Sequence, residues 1–399
     1  MRLAVHALSF AAGVFVLVCA IMPSNASAAV ISRPFEISGW IPYWRAATGT
    51  ADILPNLDRF TEVNPFGYTV QDDGLLWDAA VMSQEPWVTL KQQSKEKKVR
   101  FIPTVMWSDP DEMHAVLSNP TKRAHHIRQI VEEVNVNGYD GIDIDYEGKY
   151  AKTRPHFSAF LKELYKAMGN KWVQCTIESR TPLSSRYLDP ADIPKDLEYA
   201  NDFVAINKYC DRVKFMTYDQ RNVDVKLREA AEGPYAPVSD TRWVEKAILE
   251  ALKTIPKKKV MLGIPTYGYE WEVTAHGEGD FTYRLDGTFN PKYGSDIAEK
   301  YNVTPIRNEG GELGLTFFPE GSMLYIPRPA TSWPGNLVSQ SANLLAGSAN
   351  QNITFNMLTW QDSQAIADKV ALAKKLGIRG VAVFKIDGGQ DPKMWEVLK

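Results

Sequence analysis

Short apolar runs alternate with longer amphipathic segments along most of this 399-residue chain, and that alternation restricts its fold more than any other feature. Parallel strands are joined by crossover helices, and runs without polar alternation tolerate burial on both faces. The runs lie at 35–44, 63–70, 100–107, 138–147, 172–179, 212–219, 259–269 and 377–387. Eight strands that alternate with helices predict an α/β fold of the (β/α)8 type, the TIM barrel.

Several connections between these runs have helical periodicity, and one connection is far longer than a crossover helix needs. Helices are predicted at 122–137, 154–168, 242–255 and 363–376. The long connection follows the seventh run, and its turns and short strand-like stretches predict a small α+β insertion at about residues 272–352. Within that insertion we expect strands at 283–289 and 322–329 and a helix at 296–303.

The first residues have the pattern of a secretory signal peptide. Arg2 precedes an apolar run from Leu8 to Met22 that is short for a membrane span, and Ala26-Ser27-Ala28 is a small-x-small cleavage pattern. We therefore expect residues 1–28 to be removed and residues 29–399 to be secreted or to reside in the periplasm or cell envelope. An uncleaved N-terminal anchor is the alternative, and no later run is long enough to span a bilayer.

Composition limits the partners of the chain and the chemistry of its cysteines. The 45 Lys and Arg residues against 48 Asp and Glu give a net charge of −3, and no basic run is present, so nucleic acid is not an expected partner. A hydrophobic content of 44% allows a large core and excludes a disordered chain. Outside the signal, Cys175 and Cys210 are expected either to form a disulfide or to remain two buried free thiols.

The stretch from Asp140 to Glu147 is the most informative for chemistry. On a strand, Asp143, Asp145 and Glu147 point to one face, and the residues between them point to the other. If the isoleucine face meets the helices, the acids line the barrel interior, where mutual repulsion should keep at least one of them protonated. Glu147 comes last, at the strand end where barrel active sites lie. We predict catalytic carboxylates rather than a solvated edge or a calcium loop.

At these residues the chain resembles glycoside hydrolase family 18, the chitinase-like barrels. The family's D-x-x-D-x-D-x-E signature is complete as Asp140, Asp143, Asp145 and Glu147. Four further segments are similar and follow in the expected order: GWIPYW, MTYD, GIPTYGY and RGVAVF. The resemblance spans about residues 35–395, and the family often carries an α+β insertion after its seventh strand. The forms GWIPYW and GIPTYGYEW look more like the bacterial branch related to spore cortex-lytic and other peptidoglycan N-acetylglucosaminidases.

The resemblance implies a retaining, substrate-assisted glycosidase that uses no metal and no cofactor. Glu147 would be the general acid, and Asp145 would orient the 2-acetamido group whose carbonyl oxygen attacks the anomeric carbon. Asp143 would share a proton with Asp145, and Tyr218 would donate a hydrogen bond to the acetamide oxygen. Substrate-binding side chains are expected at Asp219, Met216, Tyr43, Trp107, Tyr267, Trp271 and Phe384.

Two segments depart from the family pattern. Phe384 stands where chitinases carry a tryptophan on the eighth strand, and PTVMWSD at 103–109 replaces a serine–glycine–glycine pattern on the third. We expect a monomeric hydrolase of β-1,4-linked N-acetylglucosamine-containing glycans, either chitin-like or peptidoglycan. A catalytically silent chitinase-like carbohydrate-binding protein is the main alternative, which the presence of Glu147 disfavours. A metal-assisted hydrolase of another class is the second alternative.

Overall fold

Eight parallel strands close into a barrel in the computed structural model, which describes residues 35–398. The third strand is in two pieces. The strands are β1 (Glu36–Pro42), β2 (Glu62–Val70), β4 (Arg100–Phe101) with β5 (Thr104–Trp107), β6 (Gly141–Tyr146), β7 (Trp172–Glu178), β8 (Arg212–Met216), β9 (Val260–Pro265) and β17 (Gly380–Phe384). Each strand pairs with its neighbour in this order, and β17 closes the ring by pairing with β1. The predicted (β/α)8 barrel is confirmed.

Helices surround the barrel and follow the predicted periodicity. They are α1 (Ala46–Ile53), α2 (Trp87–Glu96), α3 (Pro110–Ser118), α4 (Pro120–Val136), α5 (Arg154–Met168), α6 (Leu183–Arg186), α7 (Phe203–Tyr209), α8 (Val225–Glu229), α9 (Thr241–Leu252), α12 (Ser363–Leu376) and α13 (Met394–Val397). Both α5 and α12 have the predicted bounds. Gly377 ends α12 with a φ of 65°, a conformation that glycine adopts without strain, and the chain then enters β17.

Between β9 and β17 the chain forms a second, smaller α+β unit. Its five-stranded sheet contains β10 (Gly268–Gly277), β11 (Asp280–Phe289), β13 (Ile306–Arg307), β14 (Leu313–Phe317) and β16 (Ile353–Trp360). Two helices accompany it, α10 (Pro291–Tyr301) and α11 (Leu337–Ala349), and β12 (Val303–Thr304) pairs with β15 (Trp333–Pro334). Outside this insertion, a short strand, β3 (Leu76–Asp78), pairs antiparallel with β2. The insertion between the seventh and eighth barrel strands is confirmed.

One strand predicted within the insertion is absent. Residues 322–329 form turns and irregular backbone, whereas 283–289 lies within β11 as expected. Met323 is fully exposed and Ile326 is half exposed, so the apolar residues of this stretch bury little surface. Pro327 and Pro329 have no backbone N–H to donate to a neighbouring strand. The prediction of a strand at 322–329 was therefore wrong.

The N-terminal end of the barrel interior contains paired charges. Glu36, the first residue of β1, accepts hydrogen bonds from Arg212 at 2.6 and 2.7 Å and from Arg379 at 2.6 Å. Glu62, the first residue of β2, forms an ion pair with Arg100 at 3.0 Å. In TIM barrels this end contributes to stability, and the opposite end carries the chemistry.

Lys214 connects these charges to the carboxylates above them. Its fully buried ammonium lies 3.1 Å from Glu62 Oε1 and 3.5 Å from Asp143 Oδ2. Burial acts to raise the pKa of Glu62, but the charges of Lys214 and Arg100 outweigh it and lower that pKa to about 2. The centre of the barrel is therefore an ionic core, in which each charge depends on its partners.

The two cysteines whose state the sequence left open form a disulfide. Cys175 of β7 is bonded to Cys210, which follows α7 and leads into β8, the parallel neighbour of β7. The predicted signal peptide at 1–28 lies outside the described residues. Among the residues that are described, no helix combines the length and hydropathy needed to cross a bilayer.

Candidate active site

A cavity of about 400 Å³ opens at the C-terminal end of the barrel, above the ionic core. Its walls come from the residues that end or follow β6, β7 and β8. The lining residues are Glu147, Glu178, Ser179, Arg180, Thr181, Arg186, Met216, Tyr218, Asp219, Val223 and Trp243. Active sites of TIM-barrel enzymes lie at this end because the strand-to-helix loops meet there. Residues 35–398 contain no cluster of three or more His, Cys, Asp or Glu side chains arranged to hold a metal, in this cavity or outside it.

The alternation along β6 directs the acids inward. Ile142, Ile144 and Tyr146 belong to the core between strands and helices, and the Tyr146 ring stacks on Phe160 of α5 at 5.4 Å. Tyr146 also contacts the imidazole of His126 from α4. The apolar face of the strand therefore meets the helices, and the side chains at 143 and 145 point into the barrel, as the strand period predicts.

Asp143 accepts hydrogen bonds from four donors on four different strands. Its Oδ2 accepts hydrogen bonds from Trp40 Nε1 at 2.9 Å, Thr104 Oγ1 at 3.0 Å and Lys214 Nζ at 3.5 Å. Its Oδ1 accepts a hydrogen bond from Thr176 Oγ1 at 3.0 Å. Side chains from four strands therefore surround Asp143, the residue expected to share a proton with Asp145.

Asp145 shares its surroundings with Glu147 instead. The Asp145 side chain is almost fully buried, and its Oδ1 has no hydrogen-bond partner among residues 35–398. Burial, followed by the charges of Glu147 and Asp143, raises the pKa of Asp145 well above its usual value. Burial and the charge of Glu178 raise the pKa of Glu147, and a hydrogen bond between the Asp145 and Glu147 carboxyl groups opposes that rise. The pair therefore keeps a proton to higher pH than isolated carboxyl groups do, as a general acid requires.

Glu178 and Lys149 are functional candidates that the sequence analysis missed. Glu178 ends β7 and accepts hydrogen bonds from the Gly148 backbone N–H at 2.8 Å and from Asn201 Nδ2 at 2.7 Å. Lys149 has a fully buried side chain; it lies 3.5 Å from Glu178 and donates to the Tyr146 carbonyl oxygen. Glu178 could have been predicted as a site residue, because it is a carboxylate at the end of a barrel strand. Nothing in the sequence distinguishes Lys149 from other lysines.

Aromatic residues form the floor beside these acids. Phe384, at the end of β17, stacks on Tyr218 with centroids 5.3 Å apart, and it also contacts Trp40 and Phe66 edge-on. Of these three aromatic neighbours of Phe384, Tyr218 is the one that lines the cavity. Tyr267 packs against both Phe384 and Tyr218, which places it in the same aromatic group.

Asp219 joins the barrel to the insertion. Tyr267 Oη donates a hydrogen bond to Asp219 Oδ1 at 2.5 Å, and the Tyr269 hydroxyl of β10 donates to the same oxygen. Trp271 is buried, and its ring contacts those of Tyr269 and Tyr283 edge-on. Of these residues only Asp219 lines the cavity.

Tyr43 and Trp107, the remaining aromatic residues that were predicted to bind sugar, lie in different parts of the structure. Tyr43 follows β1, is partly buried beside Trp40 and Phe66, and contacts the half-exposed Trp44 edge-on at 5.0 Å. Trp107 points the opposite way, with its ring 5.3 Å from Tyr146 in the core between barrel and helices. Trp107 cannot reach a sugar in the cavity, and its prediction as a binding residue was wrong.

Comparison with known proteins agrees with this architecture. The family model "Glycosyl hydrolases family 18" matches residues 42–389. The uncharacterized glycosylase YvbX of Bacillus subtilis is 29% identical over 165 residues, which is 41% of this chain and 44% of YvbX. Probable chitinase 2 of Drosophila melanogaster is 25% identical over 335 residues, covering 77% of this chain and 63% of that protein. The matches thus span less than two thirds of both curated relatives.

Solved structures with low identity have the same fold. The spore cortex-lytic enzyme SleL of Bacillus megaterium gives a TM-score of 0.65 at 20% identity and covers 92% of this chain and 74% of its own. A chitinase from Chromobacterium violaceum gives a TM-score of 0.67 at 17% identity, covering 92% and 98%. The family model matches most of the sequence, and the barrel and the complete D-x-x-D-x-D-x-E strand agree with it. This chain therefore belongs to glycoside hydrolase family 18.

Proposed function

We propose that this protein is a retaining glycosidase that cleaves β-1,4-linked N-acetylglucosamine-containing glycans with assistance from the substrate's own acetamido group. One observation carries the proposal. The buried, hydrogen-bonded pair of Asp145 and Glu147 carries raised pKa values at the edge of an open cavity, on the catalytic end of a family 18 barrel. A carbohydrate-binding protein without catalysis has no need for a buried acid pair of this kind.

Each residue of the site has a part in the proposed reaction. Glu147 protonates the leaving glycosidic oxygen, while Asp145 orients the 2-acetamido group so that its carbonyl oxygen attacks the anomeric carbon. The unpartnered Oδ1 of Asp145 is free to accept the acetamide N–H. Tyr218, buried in the floor, donates its hydroxyl to the acetamide oxygen as that oxygen bonds to the sugar. Water then opens the cyclic intermediate and retains the anomeric configuration.

Product analysis tests this proposal directly. The mature protein and its Glu147→Gln variant are incubated with chitooligosaccharides and with purified peptidoglycan, and the products are identified by mass spectrometry. Cleavage by the wild type alone supports the proposal and identifies both the polymer and the cleaved linkage. Binding of either polymer without cleavage by either protein would favour the carbohydrate-binding alternative.

Two neighbours of Glu147 are expected to shift the pH profile in opposite directions. A general acid is active when protonated, so the pKa of Glu147 sets the alkaline limb of kcat/KM. Burial raises that pKa most, the charge of Glu178 raises it further, and the charge of Lys149 lowers it. Glu178→Gln should therefore move the alkaline limb to lower pH, and Lys149→Met should move it to higher pH, in kcat/KM measured from pH 4 to pH 9 with a soluble oligosaccharide.

The control for this measurement is Lys162→Met, an exposed position on α5 that should leave the profile unchanged. Asp145 and Asp219 also act on Glu147, and they remain in both variants. Thermal denaturation of each variant separates a shifted pKa from a damaged fold, because Lys149 also donates to the Tyr146 carbonyl oxygen. Shifts of the same sign in the two variants would contradict the electrostatic account.

A further inference from the structure

One wall of the cavity carries positive charge that the proposed reaction does not use. Arg180 follows Glu178 by two residues in the segment between β7 and α6, and Arg186 is the last residue of α6. Both side chains line the same cavity as Glu147. No catalytic step described above involves a guanidinium at either position.

The Arg180 guanidinium is held in place by aromatic rings. Its carbon lies 3.7 Å from the centroid of Phe203 and 4.5 Å from that of Tyr199. The residue is partly buried, and its charge is retained because arginine is not deprotonated in proteins. An arginine stacked on rings is pre-organised, and less side-chain entropy is lost when it binds a ligand.

Neither arginine has a carboxylate partner within residues 35–398. Asp202 and Glu250 influence Arg180 only through space, and Arg186 is exposed, with Tyr187 as its ring contact. The arginines of the barrel floor behave differently: Arg212, for example, forms a two-point ion pair with Glu36. The cavity wall therefore presents two guanidinium groups that no protein charge neutralises.

The acids that line the same cavity have partners other than the two arginines. Glu178 is paired with Lys149 and accepts the Gly148 N–H, and Asp219 accepts two tyrosine hydroxyls. Glu147 holds a proton in the form that acts as an acid. None of these three acids forms an ion pair with Arg180 or Arg186 within the described residues.

We propose that Arg180, with Arg186, forms a subsite for a carboxylate carried by the glycan, so that the preferred substrate is an acidic N-acetylhexosamine polymer rather than a neutral one. Guanidinium groups bind carboxylates through two parallel N–H donors, and a partly desolvated site strengthens such bonds. A neutral N-acetylglucosamine polymer has no charged group to pair with these guanidinium groups. The inference rests on the proposed glycosidase function and specifies its substrate class.

The test compares two substrates that differ only in charge. Glycan strands of alternating N-acetylglucosamine and N-acetylmuramic acid, freed of peptides by an amidase, carry one lactyl carboxylate per disaccharide, and methylamidation of those groups gives the neutral counterpart. We expect the wild type to have a kcat/KM at least about 10-fold higher on the acidic strand, as charge-assisted hydrogen bonds imply. The preference should decrease with added salt, because the Arg186 side of the wall is exposed.

Variants assign the preference to this wall. In Arg180→Gln and in Arg186→Gln the ratio of the two kcat/KM values should fall towards 1, with the larger fall for Arg180. Arg128→Gln, which removes an exposed charge from α4, should keep the wild-type ratio. Arg180→Gln loses the contact between Arg180 and Phe203 and can fail to fold for that reason. In that case, the Arg186→Gln variant and the wild-type comparison of the two substrates still test the proposed subsite.

Failure of the inference is distinguishable from failure of the proposed function. Equal kcat/KM values on the acidic and methylamidated strands, with cleavage of both, would overturn the carboxylate subsite and leave the glycosidase intact. If no glycan is cleaved, calorimetric binding of the two strands to Glu147→Gln provides the same comparison. A stronger affinity for the acidic strand, lost in the double variant with Arg180→Gln, supports the subsite, and equal affinities or no binding overturn it.

Discussion

Glu147→Gln is expected to lower kcat by about 10²- to 10⁴-fold on any substrate that the protein cleaves, because the amide cannot supply the proton that the leaving oxygen needs. The substitution is nearly isosteric and removes an acid whose folded-state pKa is raised by burial and by Glu178. A group with a raised pKa opposes folding when it is ionised, so the midpoint of thermal unfolding should stay unchanged or increase. Initial rates and thermal unfolding at neutral pH provide both measurements.

Glu96→Gln is the matched control, since Glu96 is exposed on α2 and should affect neither rate nor stability. Substrate affinity is the second control, and Glu147→Gln should retain most of it. Activity within a factor of ten of the wild type would exclude Glu147 as the acid. Glu178, the other carboxylate at a neighbouring strand end, would then be the residue to test.

Lys214→Met should cause the largest loss of stability of any single substitution discussed here. Removing the ammonium leaves two buried carboxylates, Glu62 and Asp143, without their shared cation. Breaking a buried ion pair from one side costs about 3–5 kcal/mol, because the remaining charge is uncompensated. Denaturant unfolding at neutral pH measures this loss directly.

The pH dependence of that loss gives a second, independent check. The pKa of Glu62 is lowered to about 2 in the folded protein from an ordinary value of 4.5. Its ion pairs therefore stabilise the fold above about pH 4.5, and that stabilisation disappears as the pH falls towards 2. The difference in stability between wild type and Lys214→Met should become smaller over the same range.

Lys300→Met supplies the control, because Lys300 forms a partly exposed ion pair with Glu320 at 3.2 Å. Solvent screens exposed pairs of that kind, and they contribute little to stability. Adding Glu62→Gln to Lys214→Met should restore part of the lost stability, because it removes one of the two buried carboxylates that the ammonium contacts in the wild type. A double variant no more stable than the single one would show that the ion pair is not the cause.

Much of this architecture could be predicted because it follows from simple periods. The alternation of runs gave the barrel, and the two-residue period of β6 gave the inward direction of Asp143 and Asp145. The same two-residue period also explains why the prediction for Trp107 was wrong. Thr104 donates to Asp143 from the interior, so Trp107, three residues later, must face the helices.

Other features depend on contacts that no local pattern encodes. Asp143 accepts hydrogen bonds from donors on β1, β5, β7 and β8, and residues far apart in the sequence bring these donors together. Lys149 and Glu178 meet because β6 and β7 are parallel neighbours whose ends lie side by side. The apolar residues at 322–329 suggested a strand, but two prolines and exposure to solvent prevent one.

The closure of the barrel by its last strand also determines when activity can emerge during synthesis. β17 pairs with β1, and Arg379 binds Glu36 across a sequence separation of 343 residues, so the ring cannot form until almost the whole chain has left the ribosome. Phe384, which stacks on Tyr218, is the last residue of that same strand. Contacts of such long range form slowly and late in folding. A nascent or C-terminally shortened chain thus holds every acid of the signature yet lacks both the strand that closes the ring and the aromatic residue that stacks on Tyr218.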